Sequence, residues 1–142
     1  MGPDGPGLYS RKMPAGTVLV VDDDSVIVNL LRVNFEMEGY HVVAATSGEA
    51  GVAEGRRCRP DVIVMDVMMP GVDGIEAARQ LKADPATQSI PILLLSAKAQ
   101  RADVEAGLAF ADDYVTKPFE PLDLLDRVAS QMTARLSPAS GR

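Results

Sequence analysis

Three stretches of this chain, residues 18–21, 62–65 and 92–95, are apolar at every position. A strand with one wet face alternates apolar and polar residues. An unbroken apolar run bounded by polar loops therefore marks a strand covered on both faces, the situation inside a parallel sheet with helices on either side. Two further runs, 41–45 and 113–116, are less apolar and belong nearer the sheet edges. With their flanking residues the five expected strands are 17–21, 41–45, 61–65, 92–95 and 113–116.

Helical patterns fill the intervals. Residues 25–38 carry Val26, Leu30, Val33 and Met37 at helical spacing, an apolar face closed by Gly39 where a left-handed C-cap is wanted. A weaker helix over 47–57 is diluted by Gly51 and Gly55. A third, 74–83, stops before Asp84-Pro85, because the residue preceding proline avoids helical angles. A fourth, 100–109, has only Val104, Leu108 and small residues to bury. The fifth starts at Pro121, a favoured first-turn residue, and places Leu122, Leu125, Val128, Met132 and Leu136 on one face. Strict strand–helix alternation with right-handed crossovers predicts an α/β fold, a doubly wound (βα)5 parallel sheet of flavodoxin-like type. Its expected strand order is 2-1-3-4-5, with three αβα layers and a ligand crevice at the carboxyl ends of strands 1 and 3.

The chain has 142 residues, enough for one ordinary domain, and its 46% hydrophobic content includes only 4% aromatics and no Trp, so the core is aliphatic. Twenty acidic residues against 14 basic ones give a net charge of −6, the wrong sign for binding a phosphate backbone directly. A single histidine, His41, and a single cysteine, Cys58, exclude internal disulfides, Cys/His zinc sites and most Ser-His or Cys-His catalytic arrangements. His41 is expected at the exposed start of an edge strand, and Cys58 as a reduced thiol near a helix end. No apolar run is long enough for a signal-peptide core or membrane insertion. Residues 1–16, with four Gly and three Pro, read as a disordered leader, 17–136 as the folded domain and 137–142 as a flexible tail. No attached output domain is expected.

Polar chemistry collects where the strands end. Strand 1 runs into Asp22-Asp23-Asp24, strand 3 into Asp66, strand 4 into Ser96, and Lys117 follows strand 5. The expected topology brings these ends to one rim. Unit like charges about 4 Å apart repel by about 1 kcal/mol in water and about 4 kcal/mol at an effective dielectric near 20, so cations must sit among the acids. Lys117 supplies one. An all-oxygen set that leaves water positions open suits Mg²⁺, making the strand-1 acids and Asp66 a candidate divalent-cation site. Asp66 could serve through its other oxygen as nucleophile towards a phosphoryl group, with the ion, Lys117 and the Ser96 hydroxyl sharing the oxygen charge. Asp24 reads instead as a helix N-cap. Met65, Met68 and Met69 read as packing residues around the loop.

The strings VLVVDDDS, DVIVMDVMMPGVDG, ILLLSAKA and DDYVTKPF, in this order and spacing, closely resemble the receiver domain of bacterial two-component response regulators, and the resemblance covers all of 17–136. It implies an acidic pair at Asp22 and Asp23, a phospho-acceptor at Asp66, a hydroxyl switch at Ser96 and a lysine at Lys117. The backbone carbonyl of Met68 would be a further ligand for Mg²⁺, with Mn²⁺ an acceptable substitute. Tyr114 matches the family's switch aromatic, and Lys117-Pro118 matches a cis peptide bond. Met68 and Lys98 flank the phosphorylation pocket. Phe110 stands where similar sequences usually have Gly, so the fourth helix is expected to end differently, with Phe110 on an exposed, partner-facing surface.

The resemblance implies a cytoplasmic phosphorelay switch that is not an enzyme beyond its own phosphorylation and dephosphorylation. Its phosphodonor would be a sensor histidine kinase or histidine phosphotransfer protein. The signal would leave towards a downstream protein through helix 4, strand 5 and helix 5, and a homodimer is compatible with it. A Mg²⁺-dependent phosphohydrolase of the haloacid-dehalogenase type is a rival, because Asp22-Asp23-Asp24 contains Asp-x-Asp after a strand. Against it, Val26 takes the place of the hydroxyl residue, Asp112-Asp113 precedes the lysine instead of following it, and no cap domain fits. A receiver that binds partners without being phosphorylated is a second rival. A flavodoxin-like electron carrier would need a loop of amides and hydroxyls after strand 1, where this chain is acidic.

Overall fold

A computed structural model describes residues 16–136. Five strands alternate with five helices: β1 (Gly16–Val21), α1 (Ser25–Met37), β2 (Tyr40–Ala45), α2 (Gly48–Cys58), β3 (Val62–Asp66), α3 (Gly74–Ala83), β4 (Ile92–Ser96), α4 (Arg101–Leu108), β5 (Asp113–Thr116) and α5 (Pro121–Leu136). The sheet is wholly parallel in the order β2-β1-β3-β4-β5, with Val18 beside Val42 and Val62, and Met65 beside Leu94. The two less apolar strands are the edges. Gly16, assigned from sequence to the leader, already pairs with Tyr40. The expected leader 1–15 and tail 137–142 lie outside the described residues.

The unbroken apolar runs divide their side chains between two cores. Leu19, Val21, Ile63, Met65, Ile92 and Leu94 pack with Val52 of α2 and Ala77, Ala78 and Leu81 of α3. Their neighbours Val18, Val20, Val62, Val64, Leu93 and Leu95 point the other way, onto Val28, Leu31 and Phe35 of α1 and Leu124, Val128 and Met132 of α5. Period-2 alternation in a doubly covered strand thus produces three layers. Gly51 and Gly55, read from sequence as diluting α2, are buried on its inner face.

The apolar face expected for α1 is not its buried one. Val28, Leu31 and Phe35 face the sheet, whereas Val26, Leu30, Val33 and Met37 remain 70%, 41%, 54% and 76% exposed. At about 100° per residue the two sets lie on opposite sides of the helix. The spacing rule located the helix correctly but chose the wrong one of two apolar stripes, because both satisfy it. On α5 the inward residues are Leu124, Val128 and Met132. Leu122, expected inside, is exposed, and Leu125 is half-buried. The side chain of Leu136 lies outside the described residues. Leu108, expected to be buried, is also exposed. On α4 only Gly107 is fully buried, so this is the most weakly anchored helix.

Helix α4 ends differently from a glycine-capped helix, with Ala109 right-handed, and Phe110 does not take a positive φ. Phe110 is half-buried against the α2–α3 side core, which corrects the expectation of an exposed, partner-facing side chain. Cα-to-Cβ geometry explains the preceding glycine: a Cβ on Gly107 would stand 2.7 Å from the Tyr114 ring. His41 is exposed on edge strand β2 and Cys58 is half-buried at the end of α2.

Candidate functional site

The carboxyl ends of β1, β3 and β4 and the segment after β5 enclose a cleft of about 240 Å³, lined in part by Asp22, Asp23, Asp66, Met68 and Lys117. Each acid is there for a local reason. Asp22 follows the last residue of β1, and its N–H bonds Ala45 O at 3.1 Å, extending the ladder towards β2. Asp66 is the last residue of β3, buried on both sides. Asp24 caps α1, accepting the Val26 N–H at 2.9 Å, as expected for a helix N-cap.

Asp22 and Asp66 are buried while Asp23 is exposed, and one oxygen from each of the three lies within 4.8 Å of the other two. Lys117 Nζ stands 2.9 Å from Asp66 Oδ1 and 3.4 Å from Asp22 Oδ2. Burial pushes the Asp22 carboxyl above its usual value and the Asp66 charge adds to this, against the Asp24 amide and Lys117, which stabilise the ionised form. For Lys117, burial acts downwards. The hydrogen bond to Asp66 and the charges of Asp22 and Asp66 outweigh it, so the ammonium is held above its ordinary value. One ammonium among three converging carboxylates leaves an excess of negative charge. Hard oxygen donors with an open, solvent-facing side therefore fit a hydrated divalent cation.

Lys117 is placed by its backbone: its N–H donates to Ser96 O at 2.9 Å, and the following peptide bond to Pro118 is cis, as the resemblance implied. Ser96 is fully buried at the end of β4, and its Oγ accepts the Lys98 N–H at 3.0 Å. Tyr114 is also buried, and its hydroxyl donates to the Lys98 carbonyl at 2.8 Å. The structure therefore brings Asp22, Asp23, Asp66 and Lys117 together at the cleft and sets Ser96 and Tyr114 behind it, joined through residue 98. Met65 and Met69 are packing residues, as expected. Met68 is not, since its side chain is exposed and lines both this cleft and a neighbouring one with Lys98 and Asp73.

Two contributions were not foreseen. Gly74 opens α3 so close to the end of β3 that a Cβ would lie 2.8 Å from Val67 Cα and 2.9 Å from Asp66 C, and its N–H bonds Val67 O at 2.8 Å. The Asp-Gly ending of DVIVMDVMMPGVDG carries that signal. The main chain of Lys98 is the other, and no residue type could reveal it.

Residues 18–129 match the family model described as the response regulator receiver domain. The chain belongs to this family. Over 112 residues this receiver domain is 46% identical to the alkaline phosphatase synthesis transcriptional regulatory protein PhoP of Bacillus subtilis, covering 78% of this chain and 46% of the relative. It thus spans about half the length of the curated relatives it matches. Among solved structures it is similar to the receiver domain of the Francisella response regulator 1452, with a TM-score of 0.78, 34% identity and coverage of 83% and 97% of the two chains. It is also similar to the receiver domain of the sensor histidine kinase PA1611 from Pseudomonas aeruginosa. There the TM-score is 0.77, the identity 29% and the coverage 83% and 98%, and that structure has a magnesium ion coordinated in its active-site cleft. Domains of this family are signalling switches of two-component systems, not classical enzymes, and neither the dehalogenase-type nor the unphosphorylated alternative finds support. No helix among the described residues is long and apolar enough to cross a membrane.

Proposed function

We propose that this receiver domain is a phosphorelay switch whose acceptor is Asp66. The observation that carries the reading is the reach of one ammonium, Lys117 Nζ, to both Asp66 and Asp22 in a cleft where three carboxylates converge. Asp66 Oδ1 is engaged by Lys117, which leaves Oδ2 to attack phosphorus. The new O–P bond forms as the P–N bond to a partner's phosphohistidine breaks and its electron pair returns to the imidazole. Asp22, Asp23, Asp66 and the Met68 carbonyl would hold Mg²⁺, or Mn²⁺, which when bound supplies positive charge to the transferring oxygens. The chain's own part is to orient Asp66 and keep a fixed cation beside the phosphoryl oxygens. Catalysis ends with its own phosphorylation and dephosphorylation.

Once phosphorylated, Ser96 Oγ exchanges the Lys98 amide for a phosphoryl oxygen, and Tyr114 loses or regains its bond to the Lys98 carbonyl as that segment moves. The change emerges on α4, β5 and α5, where a downstream protein reads it. The donor, a sensor histidine kinase or histidine phosphotransfer protein in the cytoplasm, meets the exposed stripe of α1. That stripe begins four residues after Asp22 and runs away from the cleft, so a donor seated along it has its phosphohistidine at Asp66.

Incubation of the protein with Mg²⁺ and acetyl phosphate, followed by rapid quenching and intact-mass measurement, adds one phosphoryl group to the wild type and none to Asp66→Asn. An unmodified wild type under these conditions, or an adduct that persists in Asp66→Asn, overturns the assignment.

A further inference from the structure

β5 is a free sheet edge lying between α4 and α5, and the groove beside it is about 270 Å³, with Val115, Pro118 and Phe119 along its wall and Glu120 and Asp123 at its mouth. Asp113 Oδ1 accepts the Tyr114 N–H at 2.8 Å, and both Asp113 oxygens take Arg127 Nη1 at 2.9 and 3.0 Å. The apolar wall of the groove offers a seat for an apolar side chain of a partner.

The charge around the groove identifies that partner. α4, β5 and α5 with the loop between them carry six carboxylates, Asp103, Glu105, Asp113, Glu120, Asp123 and Asp126, against three guanidiniums, Arg101, Arg127 and Arg135. Two of them are spent: Arg101 pairs with Glu105, and Arg127 with Asp113 and Asp123, while Arg135 stands in the last turn of α5, about 20 Å along the helix from its start at the groove. Lys117 is turned into the cleft, and Asp112 is held by Lys82. Asp103, Glu120 and Asp126 make no ion pair among the described residues. A second copy of this chain, related by a two-fold axis through the groove, would set carboxylates against carboxylates with no unpaired cation among the described side chains to relieve them.

We infer that the β5 groove takes a cationic amphipathic helix of another protein, with an apolar anchor on Phe119 and Val115 and lysines or arginines opposite Glu120 and Asp126. The same charge keeps the face from pairing with itself. This rests on the reading that the signal leaves through α4, β5 and α5, and it names the chemistry of the reader.

The test uses the full chain, with and without acetyl phosphate and Mg²⁺, and two fluorescent helical peptides that share one leucine stripe but carry lysine or glutamate elsewhere. The lysine peptide binds and the glutamate peptide does not. Glu120→Lys with Asp126→Lys weakens the lysine peptide by about tenfold or more, whereas Glu38→Lys with Glu49→Lys, an equal charge change towards the opposite edge, leaves it within about twofold. Sedimentation shows a monomer in both phosphorylation states at physiological salt. Equal binding of both peptides, equal losses from the two double variants, or a dimer abolished by Glu120→Lys with Asp126→Lys would each overturn the inference. Lysine-peptide binding by a protein that acetyl phosphate fails to modify would sink the phosphorelay reading and leave this one standing.

Discussion

Ser96 and Tyr114 grip the two sides of one residue: the Ser96 hydroxyl accepts the N–H of Lys98 at 3.0 Å and the Tyr114 hydroxyl donates to its carbonyl at 2.8 Å. Side chains eighteen positions apart in sequence are thus coupled through main chain that belongs to neither. Ser96→Ala and Tyr114→Phe each leave one Lys98 backbone group without its partner, and each is expected to cost about 0.5–1.5 kcal/mol in urea unfolding. In the double variant the losses should fall short of their sum by about 0.5 kcal/mol or more. Strict additivity would mean that the two hydroxyls act separately.

The two stripes of α1 make opposite predictions. Leu31→Ala empties a core position and should lower stability by about 2–5 kcal/mol. Leu30→Asp with Val33→Asp lies on the exposed side and should change stability by about 0.5 kcal/mol or less per site. That pair should slow phosphoryl transfer from a protein donor by at least about tenfold while leaving labelling by acetyl phosphate unaltered. Parallel loss with both donors would place the damage in the cleft instead of on a docking surface.

Gly74 is a sharp probe of how Asp66, the proposed acceptor, is seated. Its alanine variant sets a methyl 2.9 Å from the Asp66 carbonyl carbon, against backbone that cannot rotate away. Melting should report a loss of about 1–3 kcal/mol, and acetyl phosphate labelling should slow as well, because the strand carrying Asp66 must shift.

Removing the metal separates fold from chemistry. Chelation should stop phosphorylation without unfolding the protein. Asp23→Asn, at an exposed position, should retain the wild-type melting temperature yet need at least about ten times more Mg²⁺ for half-maximal labelling. A melting temperature that falls in step with Mg²⁺ demand would mark Asp23 as structural.

Away from the cleft, the Arg79 guanidinium, helped by the Gln80 amide, holds the Glu76 carboxyl down to about 2 from an ordinary 4.5. A depressed carboxylate contributes stability that is complete above its unfolded value and is lost as the solution is acidified. The window for this pair is therefore between about 4.5 and about 2. Carbon-detected titration of Glu76 should show this low midpoint and its return towards the ordinary value in Arg79→Met. High salt should weaken the effect, since the pair is at the surface.

The sheet was legible because β1, β3 and β4 are covered on both faces, and only unbroken apolar runs satisfy that environment. The acids were legible because each stands at or just past the carboxyl end of a strand, and parallel topology carries all such positions to one rim. The inward face of α1 was not, since two apolar stripes share its periodicity and only the sheet chooses between them. Phe110 was not legible either: its unsuitability for a left-handed cap says how α4 cannot end, not where the ring packs, and the right-handed end at Ala109 leaves it beside a core. The Lys98 bridge uses peptide atoms, which every residue possesses, so no letter in the sequence marks it.

The two cores do not share a side chain. Tyr114, with Gly107 and Phe110, belongs to the layer of α2, α3 and α4, whereas the exposed stripe of α1 backs onto the layer shared with α5. On the proposed reading, substitutions that change which donor is accepted fall on one side of the sheet, and those that change how strongly the tyrosine answers fall on the other. Within such an architecture, pathway wiring and response amplitude are separately heritable traits, and a duplicated copy of this gene could be re-addressed to a new kinase without being retuned.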